Sequence, residues 1–364
     1  MGSIRLFLAC AVLVSHATAL TVEIMPGHVA VQVFFIISGF YMSLILNEKY
    51  STSTSLFYTN RLFRLFPTYL LVLVLSFAAL FSFDVAAFTR TDKFEGVFSH
   101  GLVMAGTYAW TNVAVLGQEM LFLLGVDTAN YSFYWAVDGG ASAKAWSYIL
   151  VPQAWSLSLE LCFYVLAPLL LRRRWCWVGG IFFASLSLRL FLVSKGPEYD
   201  LLLRRCFPAE LCLFLLGYFG YLLFLKIKGR PGRHFGLLSW VVLLAVLLSF
   251  DNITEKYAFT ILALTTALCI PFIFNATRNN PLDRFLGDLS YPFYMVHFLI
   301  VAFFDDYFEE YPLLPLLATV LVASLILYYA VDGPIDRWRQ RRVEAVAAKP
   351  LSHSEVSRRW KLSH

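Results

Sequence analysis

Charge is scarce in this chain of 364 residues: Asp, Glu, Lys and Arg make up 15% of it, against 59% hydrophobic residues. A soluble domain cannot hide that much apolar surface, so the composition excludes one and indicates a polytopic membrane protein in contact with a lipid bilayer. Paired cysteines are also missing. Cys10, Cys162, Cys176, Cys206, Cys212 and Cys269 fall in or beside apolar runs, and no two form a Cys-x-x-Cys pair. Neither a disulfide framework nor a metal centre is expected. The net charge of +5 is carried at the ends of apolar runs, so no nucleic-acid partner is expected either. Gly/Ser-rich linkers, internal repeats and an appended soluble domain are absent. One membrane domain over 1–332 must therefore hold any activity, followed by a basic cytoplasmic tail over 333–364 that is too short to fold alone.

Long apolar runs are what the chain has in quantity. They lie at about 4–22, 28–46, 66–83, 155–171, 175–193, 206–226, 235–250, 257–274, 286–304 and 313–331, each of spanning length or close to it. Region 97–125 is apolar but rich in Gly, Thr and Asn. Charge fixes the orientation. With the N-terminus inside and region 97–125 crossing twice or not at all, most of the Lys and Arg fall on one side: Arg5; Lys49, Arg61 and Arg64; Arg172 to Arg174; Lys226 to Arg233; Arg278 and Arg284; and the tail. Acids such as Asp305, Asp306, Glu309 and Glu310 fall on the other. This positive-inside pattern predicts an all-α bundle of about ten transmembrane helices with both termini cytoplasmic. A bacterial inner membrane is the expected location. Arg5, the first apolar run and Ala17-Thr18-Ala19 look like a cleavable signal. The run leads directly into a second apolar helix, however, and cleavage would discard His16.

His16 is the first residue that an apolar hairpin does not need. It follows Arg5 by eleven residues, which puts both on one helical face about 16 Å apart. An imidazole in lipid either glues helices together by a hydrogen bond or has a task; neutral, it is suited to general-base work. Arg61 and Arg64, spaced i, i+3 on one face, read equally as an inside anchor or as a fork for phosphates. In Trp155 to Tyr164, the residues Ser156, Glu160 and Tyr164 recur every four positions and give an apolar helix one polar face. Glu160 could orient the His16 imidazole, or it could pair with a buried cation such as Arg189. Tyr291 and Tyr294 share a face of the next candidate helix, beside Pro292 and a second intramembrane imidazole, His297. Arg189, Arg204 and Arg205 break the inside rule near the outer surface. They either pair with Glu198, Asp200 or Glu210, or line a pocket for a polar acceptor. Ser38 and Gly39 suit close helix packing.

Together these stretches resemble the membrane acyltransferase-3 family. Arg5 to His16 fits its Arg-x10-His element, and Val33 to Phe40 its Phe-Phe-x-x-Ser-Gly-Phe block. Arg61 to Tyr69 matches Arg-x-x-Arg-x-x-Pro-x-Tyr. Trp155 to Tyr164 fits Trp-Ser-Leu-x-x-Glu-x-x-Phe-Tyr, and Gly287 to His297 carries Ser-Tyr-Pro-x-Tyr-x-x-His. The elements occur in order from end to end of the chain, with one departure, Gln32, where the family often has Asp. The resemblance implies transfer of an acyl group, most simply acetyl, from acyl-coenzyme A as co-substrate, with no permanently bound cofactor. The acceptor would be a carbohydrate or another hydroxyl-bearing molecule. On that reading His16 and Glu160 are catalytic, and Arg5, Arg61 and Arg64 hold the donor phosphates. Ser156, Tyr164, Arg189, Tyr291, Tyr294 and His297 line the substrate site. No Gly-x-Ser-x-Gly elbow is present, so a serine acyl-enzyme is not indicated. The rival class is a secondary transporter or flippase of a polar solute, which ten spans and internal charges would suit. The two related halves such proteins often show are not found.

Overall fold

Backbone N–H and C=O groups find no water in hydrocarbon, so runs this apolar satisfy them within helices. A computed structural model describes residues 1–17, 24–51, 53–137, 140–141, 143–230 and 232–347. In chain order its helices are α1 (Gly2–His16), α2 (Gly27–Glu48), α3 (Thr54–Phe83), α4 (Thr91–His100), α5 (Leu102–Ala114), α6 (Trp155–Leu170) and α7 (Trp175–Ser194). They continue as α8 (Asp200–Arg205), α9 (Phe207–Ile227), α10 (Arg233–Leu248), α11 (Glu255–Thr277), α12 (Pro281–Tyr307), α13 (Leu313–Leu327) and α14 (Gly333–Ala347). Among the described residues, eight segments are long and apolar enough to cross a membrane, and α1 and α10 are shorter apolar helices. The ten apolar runs read from the sequence fall on these ten segments. The chain is an all-α, multi-pass integral membrane protein, apart from one small hairpin of β1 (Leu124–Asp127) and β2 (Ser132–Trp135), in which Leu124 faces Trp135.

Helix starts follow local chemistry. Ser53 accepts the Leu56 N–H at 3.2 Å to open α3. Asn280 accepts from the Leu282 and Asp283 N–H groups to open α12, with Pro281 at the first helical position, where its missing N–H costs nothing. Two boundaries differ from expectation. The helix α3 begins twelve residues before the expected 66, because the cap at Ser53 and the polar stretch after it continue the apolar run. The helix α1 ends at His16 rather than near residue 19 or 22, and 18–23 lie outside the described residues.

The centre of the bundle is α2, packed on α9, α1, α11 and α6. Its approach to α9 is set by two glycines. A Cβ on Gly39 would lie 1.8 Å from the Phe214 carbonyl oxygen, and one on Gly217 would lie 2.0 Å from that of Ile36. No side chain fits either gap, so Gly39 has the packing role its sequence position suggested. The helix α1 lies along α12. At the periphery, α7 turns Phe183, Leu190, Phe191 and Val193 outward, where lipid rather than protein covers them.

The described residues of 84–154 form a cap with its own small core, built on Val97, Met104, Tyr108, Leu121, Val126 and Ile149. The cap reaches into the bundle: Tyr69, midway along α3, donates to the Asn112 carbonyl of α5. The Gly117 N–H donates to Ser158 of α6 at 3.1 Å. At Val115 and Gly117 the backbone adopts positive φ, 68° and 86°, and the chain turns back there. At 10 and 13 residues, α4 and α5 are each too short to span about 30 Å of hydrocarbon.

Candidate active site

A cavity of about 370 Å³ runs along α2, with lining residues from Val31 to Lys49, about 27 Å of helical rise. At the Lys49 end it is strongly charged. Arg5, Lys49, Arg61, Arg64, Arg278, Arg284 and Arg339 line it, together with Asp283, Asp288 and Asp336. At the Val31 end its walls are Phe34, Phe35, Ser156, Leu157, Tyr294 and Met295.

The charged end gathers the residues that the sequence offered for phosphates. The i, i+3 spacing in α3 puts Arg61 and Arg64 in the same wall, and Arg5 of α1 reaches it from the other side. The Arg5 guanidinium stands 6.0 Å from the Tyr41 ring, and that of Arg61 6.0 Å from the Tyr164 ring. The Nε of Arg61 is buried and has no hydrogen-bond partner among the described residues, a donor left unmade at the cavity wall.

Glu160 sits between the two ends. Its Oε1 accepts from Ser38 at 2.6 Å and from Tyr164 at 2.5 Å. This carboxylate is held by α2 and by its own helix, on the cavity side, next to the Arg61–Tyr164 contact. Ser38, read from the sequence as a packing residue, is instead a donor to it. Ser156 Oγ and Tyr294 Oη lie 2.8 Å apart, and both donate to the Gln153 carbonyl. Tyr291 donates to the Leu65 carbonyl at 2.6 Å. Ser156, Tyr164, Tyr291 and Tyr294 all line the cavity.

His16 lies just past the Tyr294 end. The ring of Tyr294 is 5.5 Å from that of His297, which is 5.6 Å from that of His16; Phe298 packs on His16 at 4.4 Å. Nδ1 of His16 is 2.7 Å from the Val12 carbonyl, and Nδ1 of His297 is 2.7 Å from the Tyr294 carbonyl. A carbonyl only accepts, so in both contacts Nδ1 carries the proton and Nε2 keeps its lone pair. His297 is fully buried, and its Nε2 has no partner among the described residues. Space beside His16 is fixed by Gly27, where a Cβ would stand 2.3 Å from Ser15 Oγ and 3.3 Å from His16 Cε1.

Of the two alternatives the sequence left for Arg189, the structure shows the pairing. Arg189 does not line the cavity; it forms a buried ion pair with Glu210 at 2.7 Å, and Gln32 donates to the same oxygen at 2.7 Å. The amide at the position that departs from the family pattern is thus one of two donors to a fully buried carboxylate. Sequence reasoning left Arg205 between pairing with an acid and lining a pocket for a polar acceptor. It is buried between two rings, 3.5 Å from the centre of Trp155 and 4.1 Å from that of Phe122. No ion pair to it is present among the described residues. Burial pushes its pKa down, and the ring faces offset the cost of its charge. It is within electrostatic reach of His16 and Tyr294. Arg339 was hidden in the expected tail, where any basic residue reads as an anchor.

A family model described as an acyltransferase domain matches residues 3–332 of this chain. The chain is similar to "Acyltransferase MdmB" of Streptomyces mycarofaciens, at 25% identity over 89% of this chain and 84% of that protein. It is also similar to "Nodulation protein 10" of Rhizobium leguminosarum bv. viciae, at 25% identity over 82% and 81% of the two chains. A "Putative O-acetyltransferase" of Staphylococcus aureus strain COL is 23% identical over 78% of this chain, which spans 48% of that protein. No solved structure matches.

Proposed function

This chain belongs to the family of the acyltransferase domain that covers its residues 3–332, and we propose that it transfers an acyl group, acetyl in the simplest case, from acyl-coenzyme A to a hydroxyl of a glycan or other polar acceptor at a bacterial inner membrane. The observation that carries this reading is a single cavity with an arginine cluster at one end and the His16–His297 pair just past the other. Guanidinium forks match phosphate oxygens, so Arg5, Arg61 and Arg64 would hold the nucleotide end of the donor. The pantetheine arm would then run along α2, past Glu160 and Tyr164, and bring the thioester to the Ser156–Tyr294 end.

The chemistry needs a base there. As the acceptor oxygen attacks the thioester carbonyl, its proton passes to Nε2 of His16, the nitrogen left free by the Nδ1 contact with Val12. The tetrahedral oxyanion collapses, the C–S bond breaks, and the thiolate of coenzyme A takes the proton back from the imidazolium. The Ser156 and Tyr294 hydroxyls, once turned from the Gln153 carbonyl, and the guanidinium of Arg205 would supply the donors and charge nearest to the oxyanion. A dry site raises the worth of each.

The test is direct. Purified full-length protein given acetyl-coenzyme A should release free thiol only when a hydroxyl-bearing acceptor is added. Surface glycans of cells lacking the gene should lose an acetyl group by mass spectrometry. A protein that leaves acetyl-coenzyme A intact with every alcohol offered does not fit this reading.

A further inference from the structure

The last described helix, α14, lies in the segment read from the sequence as a basic cytoplasmic tail, and it packs back against the turn of α3 that carries the paired arginines. Nη1 of Arg342 donates to Asn60 Oδ1 at 3.0 Å and its Nη2 to Thr59 at 3.2 Å. The Arg342 guanidinium also lies 4.8 Å from the Trp338 ring, which meets Phe63 edge-on at 4.9 Å. Asn60 is fully buried and donates in turn to Tyr50. A π turn at Tyr328–Asp332 joins α13 to α14, and the Thr68 hydroxyl of α3 holds Asp332 within it. Turns of this kind are costly and tend to mark functional sites.

The consequence lies in the cavity. Arg339 of α14 is 6% exposed, and it lines the same wall as Arg61 and Arg64. Asp336 takes one edge of its guanidinium and the Asn60 carbonyl takes Nη1. Its Nε is buried with no partner among the described residues, the same unmade donor seen on Arg61. A guanidinium buried beside two others, with its Nε left unpaired, is poorly explained as a membrane anchor, because an anchor needs water or headgroups around its charge. An incoming phosphate would complete its hydrogen bonds and offset the like charges around it.

We propose that α14 completes the donor site and that Arg339 is a fourth guanidinium ligand of the donor's phosphates, beside Arg5, Arg61 and Arg64. This rests on the reading of coenzyme A as the donor carrier. It adds that the segment after residue 332 is part of the binding machinery.

Titration of coenzyme A and of pantetheine, which lacks the nucleotide phosphates, into the purified full-length protein tests it. Arg339→Gln should weaken coenzyme A by about tenfold, the worth of one hydrogen bond between charged groups, and change pantetheine less than twofold. Arg339→Lys, which keeps the charge but not the fork, should recover part of the loss. Equal losses for both ligands would mean that Arg339 only braces the fold, and coenzyme A affinity unchanged in Arg339→Gln would mean no contact; either overturns the inference and leaves the donor reading standing. A wild type that binds coenzyme A no better than pantetheine overturns it too. A wild type that binds neither removes the donor reading itself, and this inference with it.

Discussion

The two ends of the cavity are built from opposite materials. Around His16 the neighbours are rings (His297, Phe298 and, one ring further, Tyr294), and the cation in electrostatic reach is Arg205, itself enclosed by Trp155 and Phe122. Around Arg61 and Arg64 the neighbours are charges of both signs, opening toward exposed residues such as Lys49 and Arg284. A dry aromatic setting keeps an imidazole neutral and makes each hydrogen bond at the reacting atoms count for more. A charged end with unmade guanidinium donors repays a polyanion's desolvation with hydrogen bonds and opposite charge. On the proposed reading chemistry and grip are separated along α2, and variants at the two ends should therefore fail in different ways.

The largest effect is expected at the aromatic end. His16→Ala should cut acyl transfer by about 10²- to 10⁴-fold, the usual worth of a general base, and leave coenzyme A affinity within twofold of wild type. Turnover of thioester and equilibrium binding, measured on the same preparation, check both halves. Loss of binding together with turnover would show that His16 holds the bundle rather than the proton, and the division between the ends would be gone.

The charged end should give the converse. Arg61→Gln removes a guanidinium with an unmade buried donor and should raise KM for acyl-coenzyme A by about 10- to 100-fold, the range for a hydrogen bond between charged groups. Its kcat should fall less than threefold. Steady-state kinetics with a fixed acceptor separate the two constants. A fall confined to kcat would place Arg61 at the chemistry and contradict the separation.

Much of this arrangement was legible in the sequence, because lipid forces apolar runs into helices and basic residues to one side. Arg5, Arg61, Arg64, Ser156, Glu160, Tyr164, Tyr291 and Tyr294, each singled out from the sequence, all line one cavity. What was not legible depends on which helix meets which. Nothing in the spacing says that Ser38 of α2 faces Glu160 of α6, or that α14 turns back onto Asn60, since both pairings join residues more than a hundred positions apart. Positive-inside counting also hides function: a rule that explains every basic residue at a helix end cannot tell Arg339 from an anchor. The cap over 84–154 escaped notice because its core is small and its helices are too short for a spanning pattern.

Arg189 makes the sharpest test of a cation assigned to substrate from sequence and to structure by geometry. Its partner Glu210 is 0% exposed, and both Arg189 and Gln32 donate to one of its oxygens. Arg189→Met leaves that carboxylate with an amide donor alone, and uncompensated buried charge of this kind costs about 3–5 kcal/mol. Thermal unfolding in detergent should shift down accordingly. Converting Glu210 to Gln in the same chain should restore most of the loss, because the charge is then gone from both sides. Acyl transfer per folded molecule should hold steady through the series, since neither side chain reaches the cavity. A change in acceptor KM that survives in the restored double variant would return Arg189 to the substrate site, and with it a cation near the end of the cavity that is otherwise built of rings.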